Sequence, residues 1–524
     1  MQNKSGKLQL SNVKDAKRVF NVPDDVNDTT DVVKARFIFA VLGLLGVAIL
    51  YALRVNLSVA IVTMVNNTAI ASNEDTSDVS TDDVCPGAKN TTTESSEDGE
   101  FVWNEERQGL ILSGFFYGYA IGQLPGGLLA ERFGGKLVFG LGTFITAVLT
   151  VISPFSVWLS DELFFVVRLL EGLAEGVTFP AIQFMISKWA PPQERSRFSI
   201  IFSGGYLGTV ICMPVSGLLC AMEFADGWPL VFYVFGGLGI LWYIPWLFLV
   251  YDSPAQHPRI SPEERRYIEA SIGTVPQKKK LPIPWRQLLS TPGLWACASM
   301  HLGIGWTFFA LLTCLPTYMS NVLHYDIKSN SALSAIPYIT GGVFSVIFSW
   351  ALDFIITRGY VSKLMGYRIF NGITAIGPAL TLIIITLVGC DNVAIIVLLA
   401  INGLCLGAQY TGNSMNLLLL APNFAGTMLG ISNTFANGAG ILAPYAVGFL
   451  TNGNQTRTAW NIVFYLSAGI GLVTYVIYML LCSDKEQPWN NPSPLPEEGR
   501  SRDNASQQED NKAGIDNSSF EMGP

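Results

Sequence analysis

The chain has 524 residues, of which 14% are Asp, Glu, Lys or Arg and 50% are hydrophobic. A soluble protein averages roughly 25% charged residues, so this composition excludes an ordinary cytosolic, disordered or fibrous protein. The apolar residues occur in long blocks: 37–65 carries a single charge and 393–424 carries none. Apolar stretches of about 18 residues or more are typical of transmembrane helices. The sequence therefore predicts a polytopic membrane protein.

The net charge of −8 says nothing about a ligand, because the acids are concentrated in two hydrophilic segments. Segment 66–106 holds eleven acids and one base, and the segment from 483 holds nine acids and four bases. These segments carry −10 and −5, so the rest of the chain is slightly basic.

The apolar blocks predict an all-α protein with twelve membrane-spanning helices. An even number of spans places both termini on one side of the membrane. The segment 1–36 is polar and contains acids, so we predict no cleaved signal peptide, and the first span acts as the insertion signal. The predicted spans are 37–65, 107–130, 136–157, 162–188, 197–221, 228–251, 293–318, 329–356, 364–389, 393–419, 425–450 and 460–482.

Basic residues orient these spans, because Lys and Arg are enriched in cytosolic loops. They precede the first span and lie in the loops after the second, fourth and sixth spans, all on that same side, which predicts that both termini are cytosolic. These residues are Lys34, Arg36, Arg132, Lys136, Lys188, Arg195, Arg197, Arg259, Arg265, Arg266, Lys278, Lys279, Lys280 and Arg286.

The acidic loop 66–106 then faces the lumen or the exterior. It carries Asn-X-Thr sequons at Asn66 and Asn90, and a third at Asn454 falls on the same face. We predict glycosylation at these three sites. Cys85 is the one cysteine in an obviously hydrophilic loop, and it can pair with Cys220 or with Cys390 if those helix ends face the same side. The eight cysteines form no CxxC pair and no cluster with histidine at metal spacing, so no metal site is predicted.

The two halves of the chain resemble each other. Trp228-Pro-Leu-Val-Phe-Tyr233 opens the sixth span and Trp460-Asn-Ile-Val-Phe-Tyr465 opens the twelfth, while Ala190-Pro191 after the fourth matches Ala421-Pro422 after the tenth. Two six-helix bundles related by a parallel repeat are the major facilitator architecture. The predicted organisation is a cytosolic segment (1–36), a first bundle (37–251), a cytosolic linker (252–292), a second bundle (293–482) and a disordered cytosolic tail (483–524).

A charged motif follows the second span. Gly127-Leu-Leu-Ala-Glu-Arg-Phe-Gly-Gly-Lys136 resembles the loop signature of that superfamily, from which it departs with Glu131 in place of Asp and Gly135 in place of a base. Asp353 and Arg358 resemble a weaker copy in the second half. We interpret the motif as a gating latch; the alternative is anchoring of helix ends by long basic side chains. Its proposed members are Gly127, Glu131, Arg132, Gly134, Lys136, Asp353 and Arg358.

Few charges lie at membrane depth, where each costs about 2.5–3.5 kcal/mol. The first span contains Arg54, and the fourth contains Arg168, Glu171 and Glu175. Positions i, i+3 and i+7 lie on one helix face, so Arg168 can pair with Glu171. The second carboxylate then lacks a local cation, and repulsion between the two acids in a low dielectric favours protonation of one of them.

Arg54 can pair with that carboxylate or bind an anion directly. We therefore predict that Arg54 and Arg168 bind substrate, that Tyr119 lines the cavity, and that Glu171 and Glu175 carry the coupling proton. The alternative is an ion network that only holds the first and fourth helices together. His301 is interpreted as a core histidine. The sequence contains no Walker loop and no nucleophile elbow, so an enzyme is not predicted.

Three runs are similar to the anion/cation symporter family, which includes sialin, the vesicular glutamate transporters and the type I sodium/phosphate cotransporters. They are Tyr51-Ala-Leu-Arg-Val-Asn-Leu-Ser-Val-Ala60, Leu170-Glu-Gly-Leu-Ala-Glu-Gly-Val-Thr-Phe-Pro180 and Trp189-Ala-Pro-Pro-Gln-Glu-Arg-Ser196. The resemblance implies substrate binding at Arg54, the family's fourth-helix arginine at Arg168 and the coupling acid at Glu175, and Glu171 matches sialin.

The chain departs from its relatives at several functional positions. The histidine and arginine of the glutamate transporters fall on Leu112 and Ile304, which disfavours vesicular glutamate loading. A sialin histidine falls on Gln183, and the Asn-His-X-Asp run of sialin reads Asn416-Leu-Leu-Leu419. These departures leave the substrate open.

The sequence predicts a secondary transporter that moves a small organic or inorganic anion by alternating access, with H⁺ as the coupling ion and no cofactor. Sodium-dependent phosphate cotransport, with Na⁺ as the coupling ion, is the alternative within this class. A membrane sensor that signals through its tail is the alternative from another class. We expect a functional monomer in the lipid bilayer of the plasma membrane or of endosomes and lysosomes, with no nucleic-acid partner.

Overall fold

The computed structural model describes residues 34–66, 68–70, 85, 99–191, 198, 200–222, 224, 227–273, 283–421 and 424–490. The sequon at Asn90, the basic residues Arg195 and Arg197, and the lysines at 278–280 lie outside these ranges. So do the segment before Lys34 and the predicted disordered tail beyond Asn490.

Twelve helical passes are present within the described residues, as predicted. In the first half they are α1 (Ala35–Met64), α2 (Glu105–Phe133), α3 (Gly135–Leu159), α4a (Asp161–Gly176) with α4b (Thr178–Trp189), α5 (Ile200–Cys220) and α6 (Trp228–Leu249). In the second half they are α7 (Pro292–Asn321), α8a (Ile327–Ser334) with α8b (Ile336–Thr357), α9 (Lys363–Val388), α10a (Asn392–Leu406) with α10b (Met415–Leu420), α11 (Ala425–Thr451) and α12 (Arg457–Leu481). Two linker helices, Pro262–Gly273 and Trp285–Leu289, lie between the halves, and a 3₁₀ turn, Pro488–Asn490, follows α12.

Nine of these described passes are long and apolar enough to cross a membrane by length and composition alone. The other three are α2, α4 and α11. The break in α4 leaves neither of its parts long enough for this test, and α2 carries charges at both ends. These helices also pack on one another, α4a on α2 and α2 on α11, and the charged residues Arg168, Glu171 and Glu175 of α4a are buried in protein.

The fourth span is broken where the sequence predicts one continuous helix. Pro180 has no N–H to donate to the carbonyl of Gly176, and the hydroxyl of Thr178 donates to the carbonyl of Glu175 at 2.6 Å. α4a therefore ends at Gly176, and α4b begins at Thr178. The tenth span is interrupted as well, with a π-helical turn at Tyr410–Ser414 between α10a and α10b.

Glycines let α2 and α4a approach closely. A Cβ atom on Gly118 would lie 1.8 Å from the carbonyl oxygen of Leu169, and one on Gly172 would lie 1.8 Å from the carbonyl oxygen of Phe115. Small residues at a helix crossing allow such backbone contact within a membrane. The contact fixes α4a, and with it the charged face of that helix, against α2.

We call the side where α1 begins the inner face, which the basic residues predict to be cytosolic, and the opposite side the outer face. Cys85 forms a disulfide with Cys390, with a Cα–Cα distance of 5.5 Å. This decides between the two partners left open by the sequence, because Cys220 is a free, buried thiol. The disulfide joins the α1–α2 loop of the first half to the α9–α10 loop of the second at the outer face.

The halves also contact each other through their helices near the outer face. Ser113 on α2 donates to the carbonyl of Ile441 on α11 at 3.1 Å, and Phe116 packs edge-to-face on Phe309 of α7 with a centroid distance of 4.8 Å. At the start of α2, the Glu105 carboxylate accepts the N–H of Gly453 at 3.1 Å. The structure is therefore closed on its outer side.

Candidate functional site

A buried ion pair joins α1 to α4a. Arg54 donates from Nε to Oε1 of Glu175 at 3.1 Å, and its Nη2 donates to the same oxygen. Arg54 is 6% exposed and Glu175 is fully buried. The other carboxylate oxygen, Oε2, is buried and has no hydrogen-bond partner in the described part of the chain. The sequence left open whether Arg54 pairs with a carboxylate, and in this conformation it does.

Three aromatic rings surround the Arg54 guanidinium. Its central carbon lies 4.5 Å from the ring centre of Tyr119, 4.6 Å from Tyr51 and 5.2 Å from Phe115. Ring faces attract a cation, most strongly where water is excluded, so these contacts stabilise a charge at membrane depth. Tyr119, predicted to line the cavity, therefore lies beside the arginine. Tyr51 and Phe115 were not predicted as parts of the site.

A second ion pair lies on the outer side of the first. Arg168 donates from Nη1 to Oε2 of Glu171 at 2.5 Å, as the i, i+3 spacing predicts. The Glu171 Oε1 accepts the hydroxyl of Ser153 on α3 at 2.9 Å. Arg168 also donates to the backbone carbonyl of Arg54 at 3.3 Å, which links the two pairs.

The two glutamates thus differ in how their oxygens are used. Glu171 has a partner on each oxygen, whereas Glu175 is paired on one only. Removing one partner from a fully paired buried charge leaves an uncompensated ion, which costs about 3–5 kcal/mol. Glu171 is therefore held in place by its neighbours, whereas Glu175 has one buried oxygen without a partner in the described part of the chain.

Every charged side chain in this cluster comes from α1 and α4a, so the cluster belongs to the first half. The residues that sequence reasoning missed are Ser153, Tyr51 and Phe115. A lone serine or aromatic residue in an apolar helix carries no signal of its own, because its partner depends on how neighbouring helices are rotated and shifted. The described residues contain no group of three or more His, Cys, Asp or Glu side chains able to hold a metal ion.

The motif residues lie at the inner face, where Gly134 and Lys136 contact the segment that follows α6 in the same half. Gly134 has a φ of 93°, a conformation that favours glycine, and a Cβ there would meet the carboxylate of Asp252 at 2.5 Å. Asp252, at the end of α6, accepts the N–H of Lys136 at 2.8 Å and so caps α3. Other predicted latch members, Glu131, Arg132, Asp353 and Arg358, are exposed, and Gly127 is half-buried. The latch itself stays a prediction.

The remaining predicted residues fall in separate places. His301 is half-buried on α7, where its Nδ1 lies 2.6 Å from the hydroxyl of Ser432 on α11. Asn66 and Asn454 both lie at the outer face, with Asn454 exposed. Their positions agree with the orientation used to predict glycosylation, and the modification stays a prediction.

The sequence profile of the Major Facilitator Superfamily matches residues 43–358 and 354–508. Sialin from Homo sapiens is 40% identical over 459 residues, covering 87% of this chain and 90% of sialin. A Drosophila ananassae protein named "Putative inorganic phosphate cotransporter" is 39% identical, covering 86% and 93%. Vesicular glutamate transporter 2 from Homo sapiens is 36% identical, covering 88% and 76%.

Solved structures share the fold. A bacterial homologue of the human lysosomal transporter Spinster, in an inward-facing and occupied conformation, superposes with a TM-score of 0.64 at 13% identity, covering 87% of this chain and 98% of its own. The xylose transporter XylE from E. coli, in an inward-open conformation, gives a TM-score of 0.62 at 14% identity, covering 86% and 98%. At this identity the likeness establishes the fold alone.

Proposed function

The chain belongs to the anion/cation symporter family of the major facilitator superfamily, and we propose that it moves a small organic or inorganic anion by alternating access, coupled to protons. It is a multi-pass membrane protein of a transporter family, not an enzyme. The observation that carries the proposal is the Arg54–Glu175 pair, in which a buried carboxylate oxygen beside a cation has no partner among the described residues.

The proposed coupling follows from competition for Arg54. While Glu175 is ionised, its carboxylate occupies the guanidinium donors. A proton on Glu175 removes the negative charge that holds the pair, so the guanidinium becomes available to an incoming anion. The anion and the proton therefore favour each other's binding. When the proton leaves, Glu175 competes with the anion for Arg54, and the anion is released.

The second pair has a supporting role in this scheme. Glu171 is paired by Arg168 and Ser153, and Arg168 also binds the backbone of Arg54. This network positions α1 against α4a throughout the cycle. Of the two acids predicted from the sequence to carry the proton, we assign that role to Glu175 and the positioning role to Glu171.

The names of the relatives support an anionic substrate of small size, since they include a vesicular glutamate transporter and an inorganic phosphate cotransporter. Sodium-dependent phosphate cotransport is the second candidate, and the name of the Drosophila relative, an inorganic phosphate cotransporter, agrees with phosphate as the substrate. We further propose both termini in the cytosol, glycosylation at the outer sequons, a functional monomer, and residence in the plasma membrane or in endosomal or lysosomal membranes.

Uptake into proteoliposomes tests the proposal. The wild-type protein is assayed with radiolabelled phosphate, sialate, glutamate and urate under an imposed proton gradient or an imposed sodium gradient. We expect one of these anions to be driven by the proton gradient. Arg54→Ala should abolish uptake, and Glu175→Gln should remove its dependence on the proton gradient.

Arg107→Ala is the matched control, because Arg107 pairs with Asp161 and Glu162 at the outer face, away from the cluster. It should leave uptake near the wild-type level. Uptake driven by the sodium gradient alone would refute proton coupling and support sodium-dependent cotransport, the second candidate. Full uptake by Arg54→Ala would refute the site. If the full chain takes up none of the anions, and deletion of 491–524 abolishes a signalling response, the protein is a sensor and the transport proposal is wrong.

A further inference from the structure

Two hydrogen bonds between neutral side chains join the halves close to the ion cluster. Asn437 on α11 donates from Nδ2 to Oε1 of Gln123 on α2 at 3.1 Å. On the other side of the molecule, Gln409, just before the π-helical turn of the tenth span, donates from Nε2 to the hydroxyl of Tyr206 on α5 at 3.0 Å. Neither bond involves a residue of the ion cluster.

The Tyr206 bond lies on the inner side of Arg54. Gly205, next to Tyr206, packs against the ring of Tyr51, which a Cβ on that glycine would meet at 2.9 Å. Tyr51 precedes Arg54 by one helical turn, and α1 begins at the inner face. The bond is therefore displaced toward the inner face by about one turn, on the order of 5 Å.

The Gln123 bond lies at a similar depth. Gly122, next to Gln123, packs on Leu173 and on the Cα of Gly176, which a Cβ there would meet at 3.2 Å. Gly176 directly follows Glu175 on α4a, whose course runs from the outer face to the inner. Gln123 also follows Tyr119 by one turn of α2. The two hydrogen bonds thus lie at a similar depth on the inner side of the ion pair, one on each flank of the interface between the halves.

Helix packing closes the outer side of the site, where Ser113 of α2 donates to the carbonyl of Ile441 on α11 and Phe116 packs on Phe309 of α7. On the inner side Tyr206 packs on α8b, where a Cβ on Gly342 would meet its ring at 3.4 Å. The hydrogen bonds of Gln123 and Tyr206 join the halves on this inner side.

We propose that the Gln123–Asn437 and Tyr206–Gln409 bonds are the inner gate of the transport site, and that both break when the site opens to the inner face. The inference rests on the proposed alternating-access function. Neutral hydrogen bonds exchange readily with water, and each adds only a small net stability, so a gate made of them opens without moving a charge. Gate opening is therefore a separate step from protonation of Glu175.

Gln409 lies where the helix of the tenth span is interrupted, so the backbone there can change conformation. α10a ends at Leu406, and the helix resumes through the π-helical turn Tyr410–Ser414, with Gln409 between them. Gly407 lies against α8b, where a Cβ would meet the carbonyl of Gly341 at 2.7 Å. π-Helical turns are frequent at functional sites, and interrupted helix segments absorb changes of backbone angle.

The test measures the separation of the inner ends without any substrate. Spin labels are attached to cysteines placed at Phe133, at the end of α2, and Tyr360, between α8b and α9, both exposed. Their distance is then measured by pulsed electron paramagnetic resonance in the full-length protein. Tyr206→Phe removes only the acceptor hydroxyl, and Gln123→Met removes the acceptor amide at similar size.

Each single variant should raise the ratio of long to short distances by about fivefold, and the double variant should raise it further. Gln409→Leu breaks the same bond as Tyr206→Phe from the other half and should have the same effect. Tyr338→Phe is the matched control, because the Tyr338 hydroxyl is buried beside Tyr206 and has no partner among the described residues. It should leave the distances unchanged.

Unchanged distances in the double variant would refute the proposed gate. A shift in Tyr338→Phe as large as that in Tyr206→Phe would refute it as well. The outcome is distinguishable from a failure of the proposed function, because the spectroscopic measurement needs no anion and no gradient. If the variants show the fivefold shifts but the protein takes up no anion, the gate proposal stands and the transport proposal fails. If the protein takes up anions but the variants show no shift, the gate proposal alone fails.

Discussion

Glu175 uses its two carboxylate oxygens unequally toward Arg54: Oε1 accepts two guanidinium donors, while Oε2 is buried and unpartnered among the described residues. Glu171, one turn away, has partners on both oxygens. The two acids on one helix face therefore differ in their hydrogen bonding, and the different roles proposed for them are measurable.

Glu171→Gln and Glu175→Gln should differ in how a substrate anion affects them. Glu171→Gln removes the charge that pairs with the buried Arg168, so it should lower the free energy of unfolding by about 3 kcal/mol. Added anion should not restore this loss. The second imitates a protonated Glu175, so it should bind anion more tightly than wild type and independently of pH. Thermal unfolding with and without the transported anion, at pH 5.5 and 7.5, distinguishes them. Equal rescue of both variants would contradict the assignment.

The sequence predicts the charged face of this site well, and the reason is local. Arg168, Glu171 and Glu175 lie on one helix, so their i, i+3 and i+7 spacing alone places them together. The Arg168–Glu171 pair follows from that spacing and is confirmed. The partner of Arg54 lies 121 positions away, and only the packing of α1 on α4a decides it.

Other features depend on tertiary context that a single sequence does not contain. Ser153 contributes to the site because α3 turns its hydroxyl toward α4a. The break after Gly176 was missed because prolines such as Pro180 are tolerated in many membrane helices. The disulfide had two candidate partners for Cys85, and only the approach of the α9–α10 loop selects Cys390.

Gly118→Ala and Gly172→Ala should each destabilise the protein and reduce transport. A Cβ at either position falls 1.8 Å from a carbonyl oxygen of the facing helix, so α2 and α4a must separate. Such overpacking costs about 1–3 kcal/mol. Gly237→Ala on α6 is the control, since no atom lies within 4 Å of its added Cβ. Thermal unfolding in detergent measures the effect, and a stability loss at Gly237 equal to the others would contradict the reason given.

Cys85→Ser and Cys390→Ser should have the same effect, because each removes one disulfide that joins the halves at the outer face. Loss of such a bond costs about 2–4 kcal/mol. Thiol counting with a maleimide reagent in the denatured protein should show two more thiols after reduction. Cys220→Ser should remove one thiol and leave the disulfide intact. A disulfide that persists in Cys390→Ser would show a different pairing.

Glu264→Gln should loosen the attachment of the linker to the first half. Its carboxylate accepts the N–H groups of Ala35 at 3.0 Å and Arg36 at 3.2 Å, which caps the start of α1. A negative charge at a helix amino terminus contributes about 1 kcal/mol, and the substitution removes that charge. Hydrogen–deuterium exchange of Pro262–Gly273 should become faster. Glu263→Gln, at an exposed neighbour, should leave the exchange unchanged.

The same docked linker should respond to acid through His257. Its ring packs edge-on against Trp189 and Tyr251, at centroid distances of 5.8 and 4.9 Å, and its Nδ1 accepts the N–H of Arg259 at 3.2 Å. Burial lowers the pKa of His257 below its ordinary value of 6.5. The undocked linker therefore binds the proton more readily than the docked one. Docking is unaffected by this group above about pH 6.5 and weakens as the pH falls below that value.

Hydrogen–deuterium exchange of residues 254–273, corrected for the intrinsic effect of pH, should thus become faster between pH 6.5 and pH 5. His257→Gln keeps a polar side chain of similar size that does not titrate, so it should flatten this dependence. His324→Asn is the control: burial also lowers the pKa of His324, but that residue lies at the outer face, away from the linker. A pH dependence that survives in His257→Gln would assign the response to another group.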